Sequence, residues 1–284
     1  MWFFLEDISV GYALPQMPNT LAIGDLMAGR PGKALPGELE DFLSQSKDGV
    51  ILVSFGTYLD FVTPDVVRKF CTAFNDRRNR LRVVWKAKPK AKDAWRNCPD
   101  AGRIKTMPWI PQNDLLADRR VKVFISHGGL NSVIESVYHA TPLIVFPICG
   151  DQPSNAAAAV SKGLAVRMDI GSFSAESLLS SVEKLLSDAT YERNVQLASA
   201  ILRDRRVSPA QRVSDAVEHV VKYGDGHLRT GAFQLSVVQF FMFDLFAAVL
   251  LAAVASVALV AFLASCCVCG ACRRRMKRNK SKTA

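Results

Sequence analysis

Val121-Lys122-Val123-Phe124-Ile125-Ser126-His127-Gly128-Gly129-Leu130-Asn131-Ser132 is the stretch on which the fold turns. A β-branched, mostly apolar run ends at Ile125, two glycines follow within four residues, and a helical pattern continues to about residue 139. A strand that gives way through a glycine turn directly to a helix is the repeating unit of a parallel sheet. The same alternation recurs on both sides. Strands are expected at Val50-Ile51-Leu52-Val53-Ser54, Leu81-Arg82-Val83-Val84-Trp85 and Pro142-Leu143-Ile144-Val145-Phe146, with weaker ones at 103–107 and 165–168. Helices are expected near 64–77, 113–118, 130–139, 153–162 and 175–187, with two more near 190–203 and 211–223. Continuous apolar strands have no polar face, so both sides of the sheet must be covered. The Gly- and Pro-rich stretch from Ala28 to Gly37 reads as a loop or linker.

The fold class is therefore α/β, a Rossmann-like parallel sheet, and in such sheets ligands bind beyond the carboxyl ends of the strands. Four strand ends carry suitable residues. Ser54-Phe55-Gly56-Thr57 offers small groups that let backbone approach a phosphate, or is a plain strand-to-helix turn. Trp109-Ile110-Pro111-Gln112 offers a flat indole and an amide for a base and a ribose, unless the indole is simply core. In the central stretch, His127, Gly129 and Ser132 surround a helix N-terminus whose unpaired amides suit a diphosphate. Asn131 and Glu135, four residues apart, share one helix face and can serve phosphate and ribose; an Asn/Ser N-cap with a solvated Glu is the alternative. Asp151-Gln152 pairs a carboxylate with an amide for sugar hydroxyls, or Asp151 is an ordinary helix cap.

Taken together, Trp109-x-Pro111-Gln112, His127-Gly-Gly129-Leu-Asn131-Ser132-x-x-Glu135, Pro142, Pro147 and Asp151-Gln152 resemble, in order and spacing, the signature of the UDP-glycosyltransferases of the glucuronosyltransferase type. The resemblance extends over nearly the whole chain. It implies the C-terminal half of a GT-B fold, with Trp109 stacked on uracil and Gln112 and Glu135 on the ribose. Ser54, Gly56, Thr57, His127, Gly129, Asn131 and Ser132 would lie about the diphosphate, and Asp151 and Gln152 would grip the sugar. The implied reaction is inverting transfer of a hexosyl or glucuronosyl group from a UDP-sugar to a small lipophilic acceptor. The UDP-sugar is a donor substrate rather than a cofactor, and the chemistry calls for no metal. The family's catalytic histidine belongs to an N-terminal domain, so no catalytic residue is assigned in this chain; a UDP-sugar-binding subunit completed by an acceptor domain in trans is the alternative. The expected division is 1–36, the end of that N-terminal domain and a linker; 37–230, the donor-binding domain; 231–268, a membrane-proximal segment and transmembrane helix; and 269–284, a basic cytosolic tail.

An NAD-dependent oxidoreductase would need Gly-x-Gly-x-x-Gly between the first strand and helix, and Ser54-Phe55-Gly56-Thr57-Tyr58-Leu59 does not supply it. The net charge of +10 does not argue for nucleic acid. Arg273, Arg274, Arg275, Lys277, Arg278, Lys280 and Lys282 crowd the last twelve positions and leave +3 for the rest. They follow the uncharged run from Phe246 to Val268, long enough at 1.5 Å per residue to span a hydrocarbon core of roughly 30 Å. Basic residues mark the cytosolic flank, which puts the larger part in a lumen. Lysines three and five places from the end resemble the retrieval signal of endoplasmic-reticulum membrane proteins, so a single-pass type I protein of that membrane is expected. The start, MWFFLEDISV, is not a signal sequence, and an upstream segment is expected. Seven cysteines set no disulfide framework: Cys71, Cys98 and Cys149 are scattered, and Cys266, Cys267, Cys269 and Cys272 cluster at the membrane edge. The apolar positions Val213, Val217, Val220 and Val221 would lose a packing surface without the N-terminal domain, so self-association, as a homo- or hetero-oligomer, is expected.

Overall fold

The computed structural model describes residues 1–24, 26, 29–56, 63–87, 98 and 102–280. Residues Met1–Asp225 form one compact unit and Gly226–Ala284 a second. The first is built on six parallel strands in the order β5-β4-β3-β6-β7-β8. These are β3 (Val50–Ser54), β4 (Arg82–Lys86), β5 (Ile104–Met107), β6 (Val121–Ser126), β7 (Leu143–Val145) and β8 (Ala165–Arg167). Each expected strand is present within one residue at either end. The order starts at the centre, runs to one edge, then returns to the centre and runs to the other. A crevice therefore opens beyond the carboxyl ends of β3 and β6, where the chain leaves the two paired strands toward opposite faces of the sheet. Ser54 and Ser126 face each other in register at the mouth of that crevice.

Every residue of β3 is buried. Val50 and Leu52 belong to the apolar cluster on one face, with Leu115, Phe124, Val137 and Val195. Ile51 and Val53 belong to the other, with Phe70, Trp85, Phe146 and Leu178. Alternate side chains of one strand thus feed two cores, which is why the strands carry no polar face. The second core is largely aromatic: Phe70 lies edge-on to Trp85 at 4.8 Å between ring centres and to Phe146 at 5.6 Å.

The covering helices are α1 (Gly37–Ser44), α2 (Pro64–Asn75), α3 (Gln112–Leu116), α4 (Leu130–Tyr138), α5 (Gln152–Ser161), α6 (Ala175–Ser187), α7 (Ala189–Arg203) and α8 (Pro209–Tyr223). Helix α1 is an addition to the sequence reading. It is only two turns long, too short for its period to stand out, yet Leu39 and Leu43 on one face are fully buried. Side chains of Thr63, Ser174, Asp188 and Ser208 cap α2, α6, α7 and α8, whereas α3, α4 and α5 begin without a side-chain cap. Those three open toward the crevice.

The first two dozen residues pack on this unit. β1 (Trp2–Phe4) and β2 (Thr20–Ala22) form a small parallel pair, Val10 enters the first core, and Asp7 is paired with Arg205. One cysteine expectation is corrected: Cys71 and Cys98 form a disulfide, their Cα atoms 5.6 Å apart. The pairing joins α2 to the connector before β5, two segments that only the packing of α2 brings together. On α8 no residue is buried; Val217 and Val221 are exposed, and Val213 and Val220 are half-buried.

In the second unit, α9 (Val237–Phe240) precedes α10 (Phe243–Lys280). The part from Phe243 to Cys266 is long and apolar enough to cross a membrane and is nowhere buried within the protein. It begins three residues before the expected span. Residues 281–284, which include Lys282 of the terminal lysine signal, lie outside the described residues.

Candidate functional site

An open cleft of about 800 Å³ lies at the carboxyl ends of β3, β4, β5 and β6. Gly56, Trp109, Gln112, His127, Gly129, Asn131, Ser132, Glu135, Asp151 and Gln152 all line it. These positions are spread over nearly a hundred residues, and the strand order gathers them. Thr57 lies outside the described residues.

At one end, Trp109 follows β5 and is 67% exposed, which removes the reading of a core indole. Its neighbour Ile110 is buried and anchors the loop. Gln112 opens α3, and its Nε2 donates to Glu135 Oε2 at 2.6 Å and to Ser132 Oγ at 3.2 Å. Glu135 is therefore held by a partner on another helix and is not a solvated surface carboxylate. The N-cap of α4 is Gly129, not Asn131 or Ser132, so those side chains are left to face the cleft. With no cap, the first amides of α4 keep their positive end available to an anion.

His127 sits in the middle. Its ring lies between two glycines: a Cβ on Gly129 would come within 2.5 Å of Nε2, and one on Gly56 within 3.1 Å of Cε1. The glycines therefore make room for the imidazole, a requirement that adds to their expected role of admitting a ligand. Burial is the chief cause that holds the imidazole below its ordinary pKa; the nearby Asp151 carboxylate and a hydrogen bond to the Ser54 backbone work the other way, and Lys86 adds to the depression. Ser126 Oγ lies 3.4 Å from Nδ1.

Ser54 is not among the residues that line the cleft. Its side chain is fully buried and its hydroxyl has no hydrogen-bond partner. It is the last residue of β3, and its backbone hydrogen-bonds the His127 imidazole. At the far end, Asp151 occupies the N-cap of α5 but makes no cap bond; its Oδ2 accepts from Asn155 Nδ2 at 2.7 Å. Gln152 is nearly buried, and its Oε1 accepts from the amides of Ile148 and Cys149 at 2.9 and 3.1 Å. Only its amide nitrogen, also 3.7 Å from Cys149 Sγ, remains to meet a ligand.

Sequence reasoning missed Arg30, Lys86, Asn113 and Asp114, which also line the cleft. Lys86 was within reach of the rule applied elsewhere, because it ends β4 just as Ser126 ends β6. Arg30 had no such signal, since it comes from an irregular loop fixed by its amide to Asn113 Oδ1 at 3.4 Å. Behind this corner His139 lies 3.0 Å from the same Asn113 oxygen, its pKa pushed down to about 4 by burial and then by Arg203.

A doubly wound sheet with three uncapped helix N-termini at its crevice, an exposed indole and a carboxylate–amide pair make this an α/β domain of Rossmann type. The chain belongs to the UDP-glucoronosyl and UDP-glucosyl transferase family, which matches residues 1–282. UDP-glucuronosyltransferase 3A1 of Bos taurus is 32% identical over 255 residues, covering 88% of this chain and 48% of that protein. The 2-hydroxyacylsphingosine 1-beta-galactosyltransferase of Homo sapiens is 29% identical, covering 89% of this chain and 46% of its own length. The chain thus spans about half the length of the curated relatives it matches. Among solved structures, Os79 from O. sativa in complex with UDP superposes with a TM-score of 0.57 at 21% identity, over 67% of this chain and 46% of that one. The calicheamicin glycosyltransferase CalG4 gives 0.57 at 20% identity, over 72% and 48%. These likenesses establish the fold as half of the GT-B architecture.

Proposed function

We propose that the cleft binds a UDP-sugar and that the chain acts as the donor half of an inverting glycosyltransferase, with 37–230 as the donor-binding domain on which 1–36 packs. The observation that carries this reading is the Gln112–Glu135 pair between an exposed indole and an uncapped helix N-terminus. That order of groups matches the order base, ribose, diphosphate along a nucleotide. Trp109 stacks on the uracil. Glu135 accepts from ribose hydroxyls while Gln112 orients it. Asn131, Ser132, His127 and the first amides of α4 receive the diphosphate, and Asp151 and the Gln152 amide meet the sugar.

Transfer requires an acceptor oxygen or nitrogen to attack the anomeric carbon from the face opposite the diphosphate. Negative charge then grows on the leaving oxygen, where the α4 dipole and its amides are already in place. The acceptor must also lose a proton to a base within about 3 Å. Among the described residues lining the cleft the single histidine is His127, which is held between two glycines on the diphosphate side. We therefore assign the base to an acceptor domain outside the described residues. The name of the bovine relative favours glucuronate and that of the human one galactose. Titration calorimetry of the purified full chain in mild detergent with UDP-glucose, UDP-galactose, UDP-glucuronate and NAD tests the site. Binding of NAD in preference to every UDP-sugar would overturn the reading, and acceptor-dependent turnover by this chain alone would overturn the assignment of the base.

The membrane placement extends the same proposal. A candidate span followed by a basic tail favours a cytosolic C-terminus, and the Cys71–Cys98 disulfide favours an oxidising compartment such as the lumen of the endoplasmic reticulum for residues 1–225. Protease protection of the amino-terminal unit in sealed microsomes supports this topology, and digestion of that unit would refute it. The exposed valines of α8 favour association with an acceptor domain or a second copy. Light scattering in detergent that reports a monomer would count against this.

A further inference from the structure

This inference rests on the donor-site reading and concerns a residue that reading does not use. Lys86 is the last residue of β4 and lies in register with Met107, the last residue of β5. The ladder runs one bond further, with Ala87 N–H donating to the Met107 carbonyl at 2.8 Å. Two residues on from Met107 stands Trp109, so the paired strand ends fix the backbones from which both side chains reach the cleft. There Lys86 Nζ lies 4.5 Å from the centre of the Trp109 ring, well inside the range at which an ammonium is drawn to an aromatic face.

The geometry points to Lys86 as a positioning residue for the nucleotide base: its ammonium occupies one face of the Trp109 indole and orients the ring so that the opposite face receives the uracil. An indole that is two-thirds exposed has little packing of its own to fix its rotamer. Without a restraint, part of any stacking energy would be lost in ordering the ring at the moment of binding. A lysine anchored by a strand ladder supplies that order in advance, and the resulting stack runs lysine, indole, base. The charge is also close enough to be felt by His127 across the cleft, consistent with a side chain that faces the site.

The experiment compares uridine and UDP on the full-length chain in detergent, by calorimetry for UDP and by competition for uridine. The proteins are wild type, Lys86→Met, Lys86→Arg, Trp109→Ala and the double variant Lys86→Met/Trp109→Ala. Lys86→Met is expected to weaken uridine and UDP by the same factor, about two- to fivefold for one exposed cation–aromatic contact. Lys86→Arg should restore the wild-type affinities, because a guanidinium also stacks on indole. Lys86→Met should have no further effect once Trp109 is removed. Loss of UDP affinity with uridine unchanged would make Lys86 a phosphate contact and overturn the proposal. Tighter uridine binding by Lys86→Met would mean that the lysine covers the face the base needs, and would overturn it equally. Unchanged binding of both ligands would overturn it while the donor site stands; a wild-type chain that binds neither would sink the donor-site reading itself.

Discussion

Gln112 Nε2 donates to Glu135 Oε2 across 2.6 Å, joining the start of α3 to the middle of α4. A carboxylate so held is oriented before any ligand arrives. If it faces the ribose, its removal must be felt through the hydroxyls and not through the phosphates. Glu135→Ala is expected to weaken UDP binding roughly ten- to a hundredfold, the range for hydrogen bonds to a charged group. Gln112→Ala should cost less, and the double variant less than the sum of the two. With 2′-deoxy-UDP the effect of Glu135→Ala should largely vanish; an undiminished effect on the deoxy ligand would place the carboxylate elsewhere.

Gly129→Ala tests the slot around His127. The added methyl would meet Nε2 at 2.5 Å, so the imidazole must swing away or the turn must shift. Overpacking of this kind costs about 1–3 kcal/mol of stability, and the displaced ring should lower donor affinity by at least about tenfold. Gly37→Ala is the control, because a methyl there meets nothing within 4 Å. Equal donor affinities in the two variants would show that the imidazole's position does not matter.

The pH dependence of donor binding follows from the environment of His127. In the free protein, burial first and Lys86 last hold the imidazole's pKa below its ordinary value, which favours the neutral ring. A bound diphosphate favours the charged ring and raises its pKa, so binding takes up a proton. Affinity for UDP-glucose, whose diphosphate does not titrate near neutrality, should rise as pH falls through the bound-state pKa. It should level off below the depressed free-state value. Calorimetry in buffers of different ionisation enthalpy measures the proton directly, and His127→Gln should flatten the profile. A flat profile in the wild type would remove the imidazole from the diphosphate.

The Cys71–Cys98 bridge closes a loop over a sequence separation of 27 residues. Constraining a loop of that size in the unfolded chain is worth about 3.5 kcal/mol. Cys71→Ser, Cys98→Ser and the double variant should therefore lower the melting temperature by similar amounts, and reductant should lower that of the wild type alone. A wild-type melting curve insensitive to reductant would contradict the pairing.

Much of this was written locally. The strands Val50–Ser54 and Val121–Ser126 lie where the apolar runs lie because each residue chooses a face by the period of two. Ten of the positions that line the cleft were legible one by one because glycines, an indole and polar groups stand after such runs. Ser54 stands in the same kind of place but does not line the cleft. Position after a strand does not tell an exposed side chain from one covered by its neighbours, and here it is covered.

What the sequence determined by itself was the alternation, the membrane-length helix, and the identity of the groups at the strand ends, all of which depend on neighbours within a few residues. The tertiary structure alone decided which groups meet. Gln112 reaches Glu135, Lys86 covers Trp109, Gly56 and Gly129 enclose His127, and Cys71 finds Cys98. Those contacts depend on strand order and register, and both are fixed by the burial of two apolar faces over the whole sheet. No local pattern encodes that balance, because each strand's apolar run would satisfy several neighbours equally well until all of them are packed at once.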